Sequence, residues 1–177
     1  MKIVVPMASP NVNGSTHLLT EAFTEGAQSK GHDVQVIDVA HANVQPCTGC
    51  VACGYEGPCI LHDSMDGIKA AILSSDMIVF ATPLYYFGMS AQLKVVIDRF
   101  CSFNSSLHAK HMKSALLAVA WNSDAWTFEA LSLHYKTLVK YCHFDDKGAI
   151  LGTGCGTPSM TRHSAFMEKA RALGASL

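Results

Sequence analysis

The chain has 177 residues, enough for one well-buried domain and short for two. Hydrophobic residues make up 49% and charged residues 15%, and 13 basic against 14 acidic side chains leave a net charge of −1. That balance argues against nucleic acid or an anionic membrane as a partner, and for a packed domain with apolar surface to hide, some of it between subunits in a homodimer.

No stretch approaches the roughly 20 apolar residues of a membrane span, and Pro6 breaks a start too short for a signal peptide. Seven cysteines are therefore expected as thiols or metal ligands in a reducing cytoplasm.

In chain order, Ile3-Val4-Val5 predicts a buried strand, and Pro6, which removes a ladder donor, is expected to mark its end. The polar loop 8–16 opens a helix on which Leu18, Leu19, Ala22, Phe23, Gly26 and Ala27 share a face. Gly31 stops that helix, residues 34–39 read as a second strand, and 40–62 as a long irregular segment. Asp63 or Ser64 caps a helix carrying Ile68, Ala71 and Ile72. Residues 77–81 are continuously apolar, as expected of a strand covered on both faces of a parallel sheet. Residues 82–88 read as a loop, and Leu93, Val96, Ile97 and Phe100 as a helical stripe. Residues 115–120 form a fourth strand, Phe128 to Cys142 a long helix, 148–152 a fifth strand, and the chain from about Arg162 a last helix. Five strands alternating with five helices predict one α/β domain over 1–177, with a parallel sheet and right-handed crossovers.

Two segments carry chemistry. A strand, a polar turn and a helix N-terminus make an anion site, because the first helical N–H groups lack internal partners and the dipole favours negative charge there. Ser9, Asn11, Asn13, Ser15 and Thr16 add donors around Gly14, and no Lys or Arg stands in the loop, so a phosphate would be held by hydrogen bonds. The loop is neither a Walker sequence nor a dinucleotide fingerprint, and an ordinary capped turn is the alternative.

The other segment holds Cys47, Cys50, Cys53 and Cys59, a spacing that suits a [4Fe–4S] cluster, with zinc or plain reduced thiols as alternatives. A cluster would order residues 40–62 only when bound. Without one, Tyr55, Ile60 and Leu61 are expected to pack the segment and the thiols to stand apart. Cys101 and Cys142 fall on apolar helical faces and read as core, whereas Cys155 sits in a Gly-rich loop with no assigned role. His108-x-x-His111 reads as solvated surface, and Asp145-Asp146 as a turn.

Three segments together resemble the flavodoxin-like family of NADPH-dependent FMN reductases and iron–sulfur flavoproteins: Ser9-Pro10-x-x-x-Gly14-Ser15-Thr16, then Thr82 to Gly88 with Ser90-Ala91-Gln92-Leu93-Lys94 and Ile97-Asp98-Arg99, and the cysteine segment leading into His62-Asp63-Ser64-Met65. The resemblance implies a doubly wound five-stranded sheet of order 2-1-3-4-5, with FMN between the loops after strands 1 and 3. It implies cofactor contacts from Ser9, Asn11, Gly14, Ser15 and Thr16 at the phosphate, and from Pro83, Leu84, Tyr85, Tyr86, Phe87 and Gly88 at the ring. Asn122 and Ser123, after the fourth strand, are expected as further donors.

Activity is then hydride transfer from NAD(P)H through flavin to a small acceptor such as a quinone or flavin, with no catalytic residue supplied by the chain. An iron–sulfur flavoprotein carrying electrons between protein partners is the alternative. A binding module that has lost its flavin is a third, since Asn11 stands where the family carries Arg.

Overall fold

In the computed structural model, which describes residues 1–177, the apolar runs pair into one sheet with helices on both faces. In chain order the elements are β1 Lys2–Met7, α1 Ser15–Gln28, β2 Asp33–Asp38, α2 Met65–Ser74, β3 Met77–Tyr85, β4 Gly88–Met89 and α3 Ala91–Asp98. A 3-10 turn over Arg99–Phe103 leads to α4 Asn104–Lys110, β5 Lys113–Val119, α5 Glu129–Tyr141, β6 Asp145–Gly152, α6 Pro158–Arg162 and α7 Phe166–Ala175. The five main strands run parallel in the order β2-β1-β3-β5-β6, which is the expected 2-1-3-4-5. A sixth strand, the two-residue β4, folds back antiparallel on β3.

Alternation along the central strands feeds two cores. Ile3, Val5, Met7, Val79 and Leu117 pack with Leu19 and Phe23 of α1 and Ala170 of α7. Val4, Ile78, Phe80, Leu116 and Ala118 pack on the other face with Ile72, Leu93, Phe103, Leu107 and Tyr135. Burial on both faces is why these strands read as continuous apolar runs rather than alternating ones.

Several local expectations are corrected. The first strand continues through Pro6, which pairs with Ile37 of β2. Pairing to β3 lapses at Val5 and Pro6 and resumes in the same register at Met7 and Ala81, so the missing N–H leaves only a gap. Thr82 to Tyr85 are strand, with Pro83 opposite Val119 at the end of the ladder. Residues 99–110 are a 3-10 turn and a helix, held by buried Phe100, Phe103 and Leu107. The last long helix begins at Phe166, after the short α6 that Thr157 caps by accepting from the Met160 amide. Asp145 and Asp146 open β6 rather than a turn, the Asp146 carboxylate accepting from the Tyr135 hydroxyl at 2.8 Å. His108 and His111 gain a third imidazole in His143, at ring distances of 5.0 and 6.0 Å, although no three side chains converge as a metal site.

Helices α1 and α7 cross at two glycines. A Cβ on Gly26 would lie 2.0 Å from the Arg171 carbonyl oxygen, and one on Gly174 2.2 Å from that of Phe23. Ala is the better helix former by about 0.5–1 kcal/mol, so a loss on Gly26→Ala isolates the steric cost. That variant should lose about 1–3 kcal/mol and several degrees of Tm, and a Tm at or above the parent's would contradict so close a crossing.

Behind the irregular segment lies a buried ion pair. Arg99, 1% exposed, donates from Nη1 to Asp63 Oδ2 at 2.7 Å and to the Gln45 carbonyl at 2.8 Å, and from Nη2 to the Leu61 carbonyl at 3.1 Å. Asp63 accepts further from the Gln45 and Met65 amides, both at 2.9 Å, so Asp63 rather than Ser64 supplies the bond that starts α2. Burial pushes the Asp63 carboxyl up, but the Arg99 bonds and the two amides outweigh it and hold it below the usual carboxylate range. The stability this contributes is present above the unfolded value of about 3.9 and is lost as pH falls through the lower folded value. Asp63→Asn leaves Arg99 buried without a counter-charge and should cost about 3–5 kcal/mol at neutral pH. Denaturant unfolding at several pH values should also find its acid-induced loss shallower than the parent's.

Candidate functional site

The carboxyl ends of β1 and β3 are bound together by a few buried polar groups. The Ala8 amide donates to the Ala81 carbonyl at 2.8 Å, and the Ser90 hydroxyl donates to the Ala8 carbonyl at 2.9 Å. The Ser90 amide donates to Thr82 Oγ1 at 2.9 Å, and Ser90 Oγ accepts from the Leu93 amide as the N-cap of α3. Ser90 and Thr82 are fully buried. They hold the loop after β1 beside the end of β3, with a cleft of about 310 Å³ between them.

Of the residues expected at a cofactor, Ser9, Asn11, Gly14, Ser15, Thr16, Pro83, Leu84 and Tyr85 line this cleft. The end of the cleft at α1 is built around an uncapped helix. Gly14, the N-cap of α1, has no side chain to offer, and no side-chain cap replaces it. Ser15 and Thr16 are buried, yet their hydroxyls find no hydrogen-bond partner within the protein. Buried polar groups in folded proteins are nearly always paired, so two orphaned hydroxyls beside the unpaired first-turn amides mark a place for a polar ligand. No cationic side chain lines the cleft, so a phosphate there is held by neutral donors and the helix dipole. Asn11 closes the turn with its own backbone: its carbonyl accepts from the Gly14 amide at 3.0 Å and its side chain from the Asn13 amide at 3.3 Å. The residues present thus fit the phosphate of FMN.

Five expected contacts are not brought into the cleft. Tyr86 and Phe87 form a two-residue turn between Tyr85 and Gly88, with φ of 44° and 65°. Positive φ at both positions is the type I′ condition that Asn-Gly normally meets, so two aromatics carry strain there. Tyr86 points wholly into solvent, and the Phe87 ring packs on Trp126 at 5.1 Å. Gly88 belongs to β4 and lies beyond the turn. Asn122 and Ser123 do not line the cleft: the Asn122 side chain accepts from the Asp124 amide, and its carbonyl accepts from the Gly154 amide.

Their place is taken by Trp121, with Val119, Ala120, Cys155 and Gly156. A Cβ on Gly156 would sit 2.1 Å from Trp121 Cε3 and 2.4 Å from Cδ2, so the indole rests on the bare glycine backbone. Neither residue stood out in sequence, although an aromatic at a strand end opposite the Gly152-Thr153-Gly154-Cys155-Gly156 loop is a signal in hindsight. Cys155 is buried in the same wall and belongs to this cleft.

The cysteine segment makes a separate pocket. Cys47, Cys50, Cys53 and Cys59 line a cavity of about 370 Å³ together with Cys101 from the 3-10 turn. Arg99 and Asp63 close the neck of the segment. Its far end is tied to α4, where the Tyr55 carbonyl accepts from the Asn104 amide and the Glu56 carboxylate accepts from the Ser106 amide at 3.0 Å and from the Ser106 hydroxyl. Polar contacts therefore order it, while Tyr55 and Ile60 are exposed and Leu61 is only half-buried, unlike the packed arrangement expected of an empty loop. Cys101 is not core. Its Sγ lies 3.8 Å from that of Cys47, and burial together with the neighbouring thiols pushes its pKa up to about 12. Cys142 is core, as expected. Hydrogen bonds from the Ala52 amide and the Thr48 hydroxyl hold the exposed Cys50 thiol below its ordinary value. Cys59 faces the Arg99 guanidinium. The four expected ligands share a cavity, but no three of them converge on a point, so as arranged they do not fit a cluster.

Comparison with known proteins matches this layout. The profile of the NADPH-dependent FMN reductase family matches residues 1–146. An iron–sulfur flavoprotein of Archaeoglobus fulgidus is 32% identical over 99 residues, covering 56% of this chain and 45% of that protein. The chain spans about half the length of the iron–sulfur flavoproteins it matches. YwqN of Bacillus subtilis, provisionally named an NAD(P)H-dependent FMN-containing oxidoreductase, is 28% identical over 184 residues, with 98% and 97% of the two chains covered. An NAD(P)H:quinone oxidoreductase from Methanothermobacter marburgensis shares the fold at a TM-score of 0.79 and 18% identity, covering 99% and 95%. Profile, strand order and cleft agree, and the chain belongs to the NADPH-dependent FMN reductase family.

Proposed function

We propose that the chain is a single FMN-binding domain over residues 1–177 and an NAD(P)H-dependent oxidoreductase acting on small acceptors such as quinones or free flavin. The observation that carries this reading is the pair of orphaned buried hydroxyls, Ser15 and Thr16, at the uncapped start of α1. Bound FMN would supply the hydride exchange, from nicotinamide and then to the acceptor. The chain's own work is positional. Ser15, Thr16 and the first-turn amides take the phosphate, Pro83 to Tyr85 flank the ring end, and Trp121 on Gly156 closes the wall opposite. No carboxylate, imidazole or amine lines the cleft, whose only titratable side chains are Tyr85 and Cys155. The exposed aromatics on its rim, Tyr85, Tyr86, Trp121 and Trp126, are read as the surface that a second copy of the chain covers. No helix is long and apolar enough to cross a membrane, and seven unpaired thiols suit a reducing cytoplasm.

A second reading, an iron–sulfur flavoprotein passing electrons between protein partners, rests on the iron–sulfur flavoproteins that match 56% of the chain, although the four cysteines share a cavity without converging. Iron and sulfide analysis of anaerobically prepared protein separates the two: about four irons per chain supports the second reading, and none rejects it.

Each orphaned hydroxyl should contribute about 1 kcal/mol to FMN binding, so the Ser15→Ala/Thr16→Ala double variant should bind FMN roughly 10- to 100-fold more weakly. Unchanged affinity in that titration would overturn the placement. Gly156→Ala displaces the indole and should weaken FMN binding while the circular dichroism spectrum stays that of the parent. Mixed anaerobically with NADPH, the reconstituted protein should lose its flavin absorbance and regain it on adding a quinone; a flavin that binds and stays oxidised would refute the activity. Light scattering should return a dimer mass at micromolar concentration, and a monomer mass would refute the second copy.

A further inference from the structure

The family's cysteine spacing draws attention to four residues in one segment, yet the thiol in contact with that segment's first cysteine comes from elsewhere. Cys101 stands in the 3-10 turn after α3, and its Sγ is 3.8 Å from Cys47 Sγ across 54 residues of sequence. Cys53 approaches the Cys101 carbonyl instead, its Sγ 3.9 Å from that oxygen. Neither Cys50 nor Cys59 makes a hydrogen bond to Cys101, although both line the same cavity. Cys47 is exposed, Cys101 is half-buried behind it, and both line a cavity open to solvent.

We propose that Cys47 and Cys101 are a redox-active thiol pair, a site of reversible disulfide formation that fastens the cysteine segment to the turn after α3. The proposal is independent of flavin binding. Three observations support it. The sulfurs must close only from 3.8 Å to about 2.05 Å, a movement available to an exposed side chain on an irregular segment. That segment carries no secondary structure around Cys47 and holds Val51 and Tyr55 at φ of 57° and 66°, so it is not locked by a regular hydrogen-bond ladder. The Arg99 clamp lies two residues from Cys101 and, through the Gln45 carbonyl, two residues from Cys47, so the anchor that brings the segments together also holds the thiols in register.

The chemistry needs a two-electron oxidant, here hydrogen peroxide. The exposed Cys47 thiolate attacks one peroxide oxygen, the O–O bond breaks, and hydroxide leaves to become water. Cys47 is then a sulfenic acid. The Cys101 sulfur attacks Cys47 Sγ, the S–O bond breaks, and the departing hydroxide takes the Cys101 proton as a second water. Two thiols and one peroxide have become one disulfide and two waters, and a small dithiol reverses the change by exchange.

Trypsin makes the test direct. It cuts at Lys30 and Lys69, leaving Cys47, Cys50, Cys53 and Cys59 on one peptide, and at Arg99 and Lys110, isolating Cys101 on another. The full chain is reduced, freed of reductant, assayed for iron, titrated with hydrogen peroxide, alkylated and digested. The expected product is these two peptides joined, two hydrogens lighter than their sum and separated again by dithiothreitol. Cys47→Ser should abolish it, whereas Cys50→Ser and Cys53→Ser should retain it. In Cys101→Ser, Cys47 should be trapped by dimedone as the sulfenic acid. A disulfide confined within the first peptide overturns the proposal. So does cross-linking lost in Cys53→Ser but retained in Cys47→Ser, or a Cys47 held by iron and inert to peroxide. Circular dichroism of each serine variant distinguishes a lost cross-link from a lost fold.

Discussion

One buried hydroxyl ties the molecule's working parts together. Ser90 donates from its hydroxyl to the Ala8 carbonyl just beyond β1, accepts there a hydrogen bond from the Leu93 amide in the first turn of α3, and donates from its own amide to the Thr82 hydroxyl near the end of β3. Parallel strands deliver their loops to the same edge of the sheet, but their pairing alone does not say how those loops sit against each other. Ser90 does. It sets the loop after β1 beside the end of β3 and caps the start of α3. The same stretch runs on into the 3-10 turn, where Arg99 grips the neck of the cysteine segment and Cys101 faces Cys47. Residues 90–103 thus brace two pockets at once.

The two pockets answer opposite electrostatic problems. In the cleft the protein leaves polar groups unpaired and supplies no formal charge, so an anion there would meet amides and hydroxyls already in place. Each buried hydroxyl left without a partner costs about 1–3 kcal/mol in the empty fold, a strain that a ligand relieves. At the neck of the cysteine segment a full charge is buried and paired: Arg99 reaches a carboxylate and two carbonyls through its two terminal nitrogens, leaving only Nε without a partner, and Asp63 takes two further amides. Such a pair adds little net stability over apolar packing of the same size, but it is directional. It fixes where a segment with few apolar anchors leaves and re-enters the fold.

The aromatic turn of Tyr86 and Phe87 follows a similar logic. Two bulky residues at positive φ are unfavourable by themselves, and they persist because β3 and β4 pair on either side and Phe87 finds Trp126. The result is a stiff rim on the cleft with one fully exposed tyrosine at its tip.

The order of the main elements was legible in the chain itself, because continuous apolar runs of strand length such as residues 77–81 and 115–120 read as strands covered on both faces, and spaced apolar residues such as Leu19, Ala22 and Phe23 read as a buried helix face. The polar loop 8–16 was legible for a similar local reason, a strand, small polar residues and a helix start in succession. Contacts between distant residues were not. Nothing near Cys101 in sequence marks it as a neighbour of Cys47, since its apolar surroundings read as core and only the 3-10 turn exposes its sulfur to the other segment. Trp121 and Gly156 meet because β5 and β6 are adjacent, which a one-dimensional pattern cannot express. Pro6 misled for a related reason, because whether a missing N–H matters depends on which neighbour it would have faced. Local hydrophobic periodicity therefore determined the fold and one half of the cleft. Side-chain hydrogen bonds between residues far apart in the chain, with Ser90 and Arg99 foremost, decided the rest.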